Sequence, residues 1–143
     1  MAFFFTLRPK KTPRKEKSKK LEWEKDPDIQ RQIGDIVSRL QMNHINPNRV
    51  FCFRTTGSKA PANARIWSFP KVFQIALEIA PAYAIEIISE KYDRLSADEK
   101  TKVIIHELLH IPKNFSGSLL PHKYGNTRID KEVESLYKKY KEI

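Results

Sequence analysis

The ten residues Val103-Ile104-Ile105-His106-Glu107-Leu108-Leu109-His110-Ile111-Pro112 constrain this chain more than any others. They read His-Glu-x-x-His inside an apolar run. On a helix of 3.6 residues per turn the two imidazoles lie one turn apart on one face. Rings stacked in that way can both reach one zinc ion at about 2.0–2.1 Å. Glu107 projects roughly 100° around the helix from His106, close enough to hold a water at the metal without ligating it. Ser96-Ala97-Asp98-Glu99 has the form of a capping box and starts the helix. Pro112 cannot continue it, so the helix is expected to stop near Ile111. Ile104, Ile105, Leu108, Leu109 and Ile111 leave the motif as the main polar surface of a helix that must be buried. Buried imidazoles and a buried carboxylate need partners, and a metal satisfies all of them together.

The rest of the chain is read around that helix. Asp26 is a candidate N-cap with Pro27 at N1, and Ile29, Ile33, Ile36, Val37 and Leu40 form one apolar helical face. Asn43 to Asn48 breaks that helix. Arg49–Arg54 and Ala64–Phe69 read as strands separated by a loop from Thr55 to Asn63, Lys71–Leu77 as a short helix, and Ala82–Ile88 as a third strand. Glu90 to Arg94 reads as a charged turn. A last helix is expected from about Arg128 to Lys141, with Ile129, Val133, Leu136, Tyr137 and Tyr140 on one face. Helices at both ends around a few strands predict an α+β fold, a small sheet packed on the histidine helix.

Length and charge set the boundaries. With 143 residues the chain suits one domain, taken as 26–143, preceded by a basic arm over 1–25. Between Arg8 and Lys20 stand eight Lys and Arg against one acid, Glu16, and the whole chain carries a net +10. Such a run is a solvated arm or an anchor for nucleic acid. No apolar stretch approaches the roughly 18 residues of a membrane span. The order of the N-terminus, Met1–Phe5 apolar and then basic, reverses that of a secretory signal, so a cytoplasmic location is expected. Cys52 is the only cysteine, which excludes an internal disulfide.

A catalytic zinc takes a third protein ligand and keeps a position for water. His122 is the favoured candidate, because Gly117 lets the chain return and Pro121 stiffens the approach. Asp130, Glu132 and Glu134 are alternatives, the two glutamates lying about 100° to either side of Val133 on the last helix. His44 reads as an ordinary turn histidine. Arg65, Tyr124 and Arg128 are candidate oxyanion donors, and the strand around Tyr83–Ile88 is a candidate wall for an extended peptide.

At His106–Lys113, Phe115-Ser116-Gly117 and Leu120-Pro121-His122, the sequence resembles a family of small metallopeptidases of archaea, bacteria and phages. These are similar in turn to the SprT-like zincins. The resemblance extends to Gly57-Ser58-Lys59, Ala64–Trp67, Ile85–Glu90 and Leu136-Tyr137, covering roughly residues 28 to 141, with the arm outside it. It implies a zincin-like fold and a metal held by His106, His110 and His122. The spacing after His110 is longer than in metzincins. The expected activity is peptide-bond hydrolysis on zinc with Glu107 as general base, acting on a peptide or protein substrate. Two rivals are a nucleic-acid-associated module with a structural zinc, anchored by Arg8–Lys20, and a zincin scaffold acting on other bonds.

Overall fold

The computed structural model describes residues 19–143. All of the basic run except Lys19 and Lys20 lies outside the described residues. The elements run β1 (Glu22–Lys25), α1 (Pro27–Arg39), a 3-10 turn (Pro47–Arg49), β2 (Val50–Thr56), β3 (Ala64–Trp67), α2 (Lys71–Leu77), β4 (Tyr83–Ile88), α3 (Ser89–Tyr92), α4 (Ala97–Leu109), β5 (Lys123–Tyr124), β6 (Thr127–Arg128) and α5 (Ile129–Glu142). This is the expected α+β architecture, a mixed four-stranded sheet flanked by an N-terminal and a C-terminal helix in a zincin-like arrangement. The order across the sheet is β1-β2-β4-β3, with β2 and β4 parallel and the other two pairs antiparallel.

Helices α1 and α4 form where their caps dictate. Asp26 accepts from the Ile29 N–H at 3.0 Å at the start of α1, and Pro27 needs no donor there. Ile29, Ile33, Ile36 and Val37 then bury one face. The Ser96–Glu99 capping box is present with both hydrogen bonds at 3.2 Å. Ile104, Ile105 and Leu108 of α4 pack with Tyr83, Ile85 and Ile87 of β4 in the core, all of them 0–1% exposed. Burying each aliphatic side chain there contributes roughly 1.5–3 kcal/mol. Ile129 and Val133 attach α5 to the same core.

Three local expectations are corrected, and one further element was not anticipated. Residues 22–25, read as part of an arm, are a strand pairing antiparallel with β2 from Glu22↔Thr56 to Lys25↔Phe53. All four are exposed, so no burial pattern marks them. β2 runs on to Thr56 instead of yielding to a loop at Thr55. The charged turn after β4 is the one-turn helix α3. A small hairpin, β5–β6, precedes α5, with Gly125 at φ +55° in its turn.

Gly117 sits at φ +93°, and a Cβ there would lie 2.3 Å from the Phe69 carbonyl oxygen. Gly117→Ala is therefore expected to destabilise the domain by more than about 1–3 kcal/mol, read as a lowered midpoint in thermal unfolding.

Candidate metal centre

The C-terminal end of α4 and the chain that returns to it build the site. His106 lies in the last turn and His110 is the C-cap. After Pro112 the chain turns through Phe115, at φ +47°, and Gly117. The Tyr83 hydroxyl accepts from the Gly117 N–H and donates to the Ser118 carbonyl, both at 2.8 Å. Gln74 of α2 donates to the carbonyls of Phe69 at 2.9 Å and Ser116 at 2.8 Å. Leu120 is tied to the helix end from both sides, its N–H donating to the His110 carbonyl at 2.8 Å and its carbonyl lying 2.6 Å from His110 Nδ1. Two residues later His122 arrives beside the helix.

The three imidazoles converge. Ring centroids are 5.1 Å apart for His106 and His110, 5.1 Å for His106 and His122, and 4.7 Å for His110 and His122. One nitrogen from each lies within 4.8 Å of the others, a set able to hold a metal ion. His110 Nδ1 donates to the Leu120 carbonyl, which assigns the lone pair to Nε2, a tautomer set by its partner. That Nε2 stands 3.3 Å from His106 Nε2. Burial pushes the pKa of both histidines down, as do their neighbouring imidazoles, while the Leu120 carbonyl works the other way on His110; the net direction favours the neutral rings. Two neutral nitrogens on a tetrahedral zinc at about 2.0–2.1 Å would be about 3.3 Å apart. The donor set and its spacing therefore fit a metal ion. His106 Nδ1 points the other way and lies 3.5 Å from Asp130 Oδ1, at the outer limit of hydrogen bonding.

Glu107 is 7% exposed, and burial raises its carboxyl to about 7, with the Ile66 backbone N–H pulling the other way. It lines a cleft of about 640 Å³ bordered by His106, Glu107 and His110, with Ala62 and Ala64–Ile66 on one side and Leu119–His122 on the other. A second hollow of about 340 Å³ continues past His106 to Lys102, Asp130 and Glu134.

Of the four candidates for a third ligand, only His122 joins the other two histidines. Asp130 approaches the back of His106, Glu134 is paired with Lys102 at 3.1 Å, and Glu132 lines a separate groove with Tyr124 and Leu136. His44 also borders that groove, close to Ile111 and Lys113. Among the oxyanion candidates, Arg65 borders the cleft but its guanidinium is ion-paired with Glu86, and Tyr124 faces the separate groove. Arg128 lies in the hairpin opposite Lys123.

The strand Tyr83–Ile88 cannot receive a peptide, which corrects the sequence expectation. It is central, paired with β2 on one side and β3 on the other. The exposed sheet edge at the cleft belongs to β3. Its ladder with β4 is extended by the Asn63 carbonyl, which accepts from the Ile88 N–H at 3.0 Å. Alternation then turns the backbone groups of Ala64 and Ile66 away from β4. No local signal in the sequence marks this edge, because strand order depends on partners distant in the chain.

Fold and histidine cluster together make a zincin-like α+β domain with three imidazoles placed to hold a metal ion. Residues 21–141 match the family described as "Putative phage metallopeptidase", and the chain belongs to that family. No curated protein and no solved structure matches it significantly.

Proposed function

We propose that this chain is a zinc-dependent peptidase whose metal is held by His106, His110 and His122. The observation that carries the reading is the 3.3 Å between the facing Nε2 atoms of His106 and His110, with a third imidazole and a buried carboxylate beside them. Zinc at such a site is a Lewis acid that polarises a scissile carbonyl and lowers the pKa of water towards about 7. Glu107 takes a proton from the attacking water and delivers it to the leaving amine. A carboxyl raised to about 7 suits both halves of that transfer near neutral pH. The Leu120 carbonyl fixes the tautomer of His110, and the Asp130 carboxylate lies 3.5 Å behind His106.

Substrate enters as an extended peptide laid along β3, where the backbone groups of Ala64 and the Ile66 carbonyl supply strand-like hydrogen bonds next to Glu107. On this reading the catalytic domain includes β1, the basic run Arg8–Lys20 comes before it in sequence, and the protein works in the cytoplasm. Among the described residues no helix is long and apolar enough to cross a membrane. A structural zinc is closed by four protein ligands, whereas the cluster among the described residues has three. That favours a catalytic site over a purely structural one.

The test is metal dependence. Full-length protein, stripped with a chelator, should hydrolyse no member of a mixed fluorogenic peptide set. One equivalent of Zn2+ should restore hydrolysis and raise the thermal midpoint, since a ligand that binds only the folded state stabilises it. Unchanged hydrolysis by protein shown to be metal-free would dispose of the proposal.

A further inference from the structure

One face of the sheet packs on α1 and α4; the other carries an aromatic surface with no role in the metal centre. The strand register puts Trp23, Phe51, Phe53, Arg65 and Trp67 on that second face, around the buried Glu86. Trp23, Phe51 and Trp67 are 64%, 50% and 48% exposed. Large aromatics left half in water on three strands of one sheet mark an interaction surface.

Its electrostatics select the partner. Glu86 is the acid on this face, and it is already matched by Arg65 and accepts from Trp67 Nε1 at 3.0 Å. The strand acids Glu22 and Glu24 alternate to the opposite face, whereas Lys25 shares this one. Arg49 lies 5.8 Å from the centre of the Phe51 ring, and its hydrogen bonds go to the neutral carbonyls of Ala80 and Pro81. Lys19 and Lys20 lead into β1 with their carbonyls against Gly57. An aliphatic protein partner would use the apolar area and leave these cations unmatched. A polyanion with flat π-faces matches both.

We propose that the outer face of the sheet is a stacking platform for a single-stranded polynucleotide, with bases on Trp23, Phe51 and Trp67 and phosphates along Lys25 and Arg49. From Trp23 to Trp67 the register spans three strand spacings across and four residues along, roughly 20 Å. Four-stranded sheets with aromatics on one face stack two or three bases in this manner. β3 would then present its edge to the cleft and its face to the nucleic acid, bringing the cleft to proteins bound on the same strand. The platform itself does not depend on the peptidase reading.

Both tryptophans of the chain lie on this face, so intrinsic fluorescence reports on it directly. Full-length protein is titrated with an oligothymidylate of about 20 nucleotides, long enough for one site. The expected results are saturable quenching, an affinity that falls as salt rises, and weaker quenching by a duplex of equal length. Phe51→Ala should weaken binding by about tenfold or more while leaving peptide hydrolysis and the circular dichroism spectrum unchanged. Trp23→Ala, at the most exposed ring, provides a second variant that keeps the fold. Three outcomes would overturn the platform. One is absence of binding at low salt. Another is salt-sensitive binding with neither quenching nor any effect of Phe51→Ala, the behaviour of an arm acting alone. The third is that both variants alter a monomer–dimer equilibrium instead of nucleic-acid affinity.

Discussion

Glu107→Gln is expected to keep its full complement of metal and to lose about 10²–10⁴-fold in peptide hydrolysis. The substitution is isosteric, and Glu107 is not one of the three converging nitrogen donors, so metal content should not change. It removes the buried carboxylate that lines the cleft with His106 and His110 and can accept a proton from water and return it to the leaving nitrogen. Its burial and its raised carboxyl pKa mark it as that group. The measurement is kcat/KM on a cleaved peptide, together with zinc per chain by elemental analysis. Retained activity would remove Glu107 from the proposed chemistry; lost zinc would make it a ligand instead.

The second large effect is expected at His122. His122→Ala should reduce zinc affinity by more than about 100-fold and abolish hydrolysis with it. Because His122 is exposed, the metal-free variant should unfold at the same temperature as the metal-free parent. Glu134→Ala and Glu132→Ala should leave zinc affinity unchanged, since their carboxylates face Lys102 and the separate groove. Competition with a chromophoric chelator measures all three. A loss of affinity in a glutamate variant and none in His122→Ala would reverse the ligand assignment.

Much of this is legible in the sequence. Asp26, Pro27 and the spacing of Ile29, Ile33, Ile36 and Val37 define α1 by local rules, and the helix forms as read. The same holds for α4, where the capping box and the apolar run act within a few residues of each other. Elements whose cause is non-local were missed. β1 consists of Glu22-Trp23-Glu24-Lys25, whose side chains are all exposed, and it is a strand because β2 offers it a ladder. Glu86 sits in the middle of a strand that reads as apolar. Its carboxylate is tolerated there because Thr55, Arg65 and Trp67 from both neighbouring strands donate to it.

The site divides in the same way. The placement of His106, Glu107 and His110 is a property of one helix and follows from their spacing. The approach of His122 could be argued from Gly117 and Pro121, yet its anchoring depends on Tyr83, Gln74 and Leu120. The edge strand at the cleft was beyond reach for a further reason. The residue pattern of β4 shows it apolar but does not show that β3 is the outer neighbour.

The most direct test of the account is a crystal of zinc-loaded protein with an anomalous difference map collected across the zinc edge. The account predicts one peak bonded to nitrogens of His106, His110 and His122 at about 2.0–2.1 Å, with a non-protein ligand in the fourth position and Glu107 facing it. A peak elsewhere, or one closed by a fourth protein side chain, would contradict it.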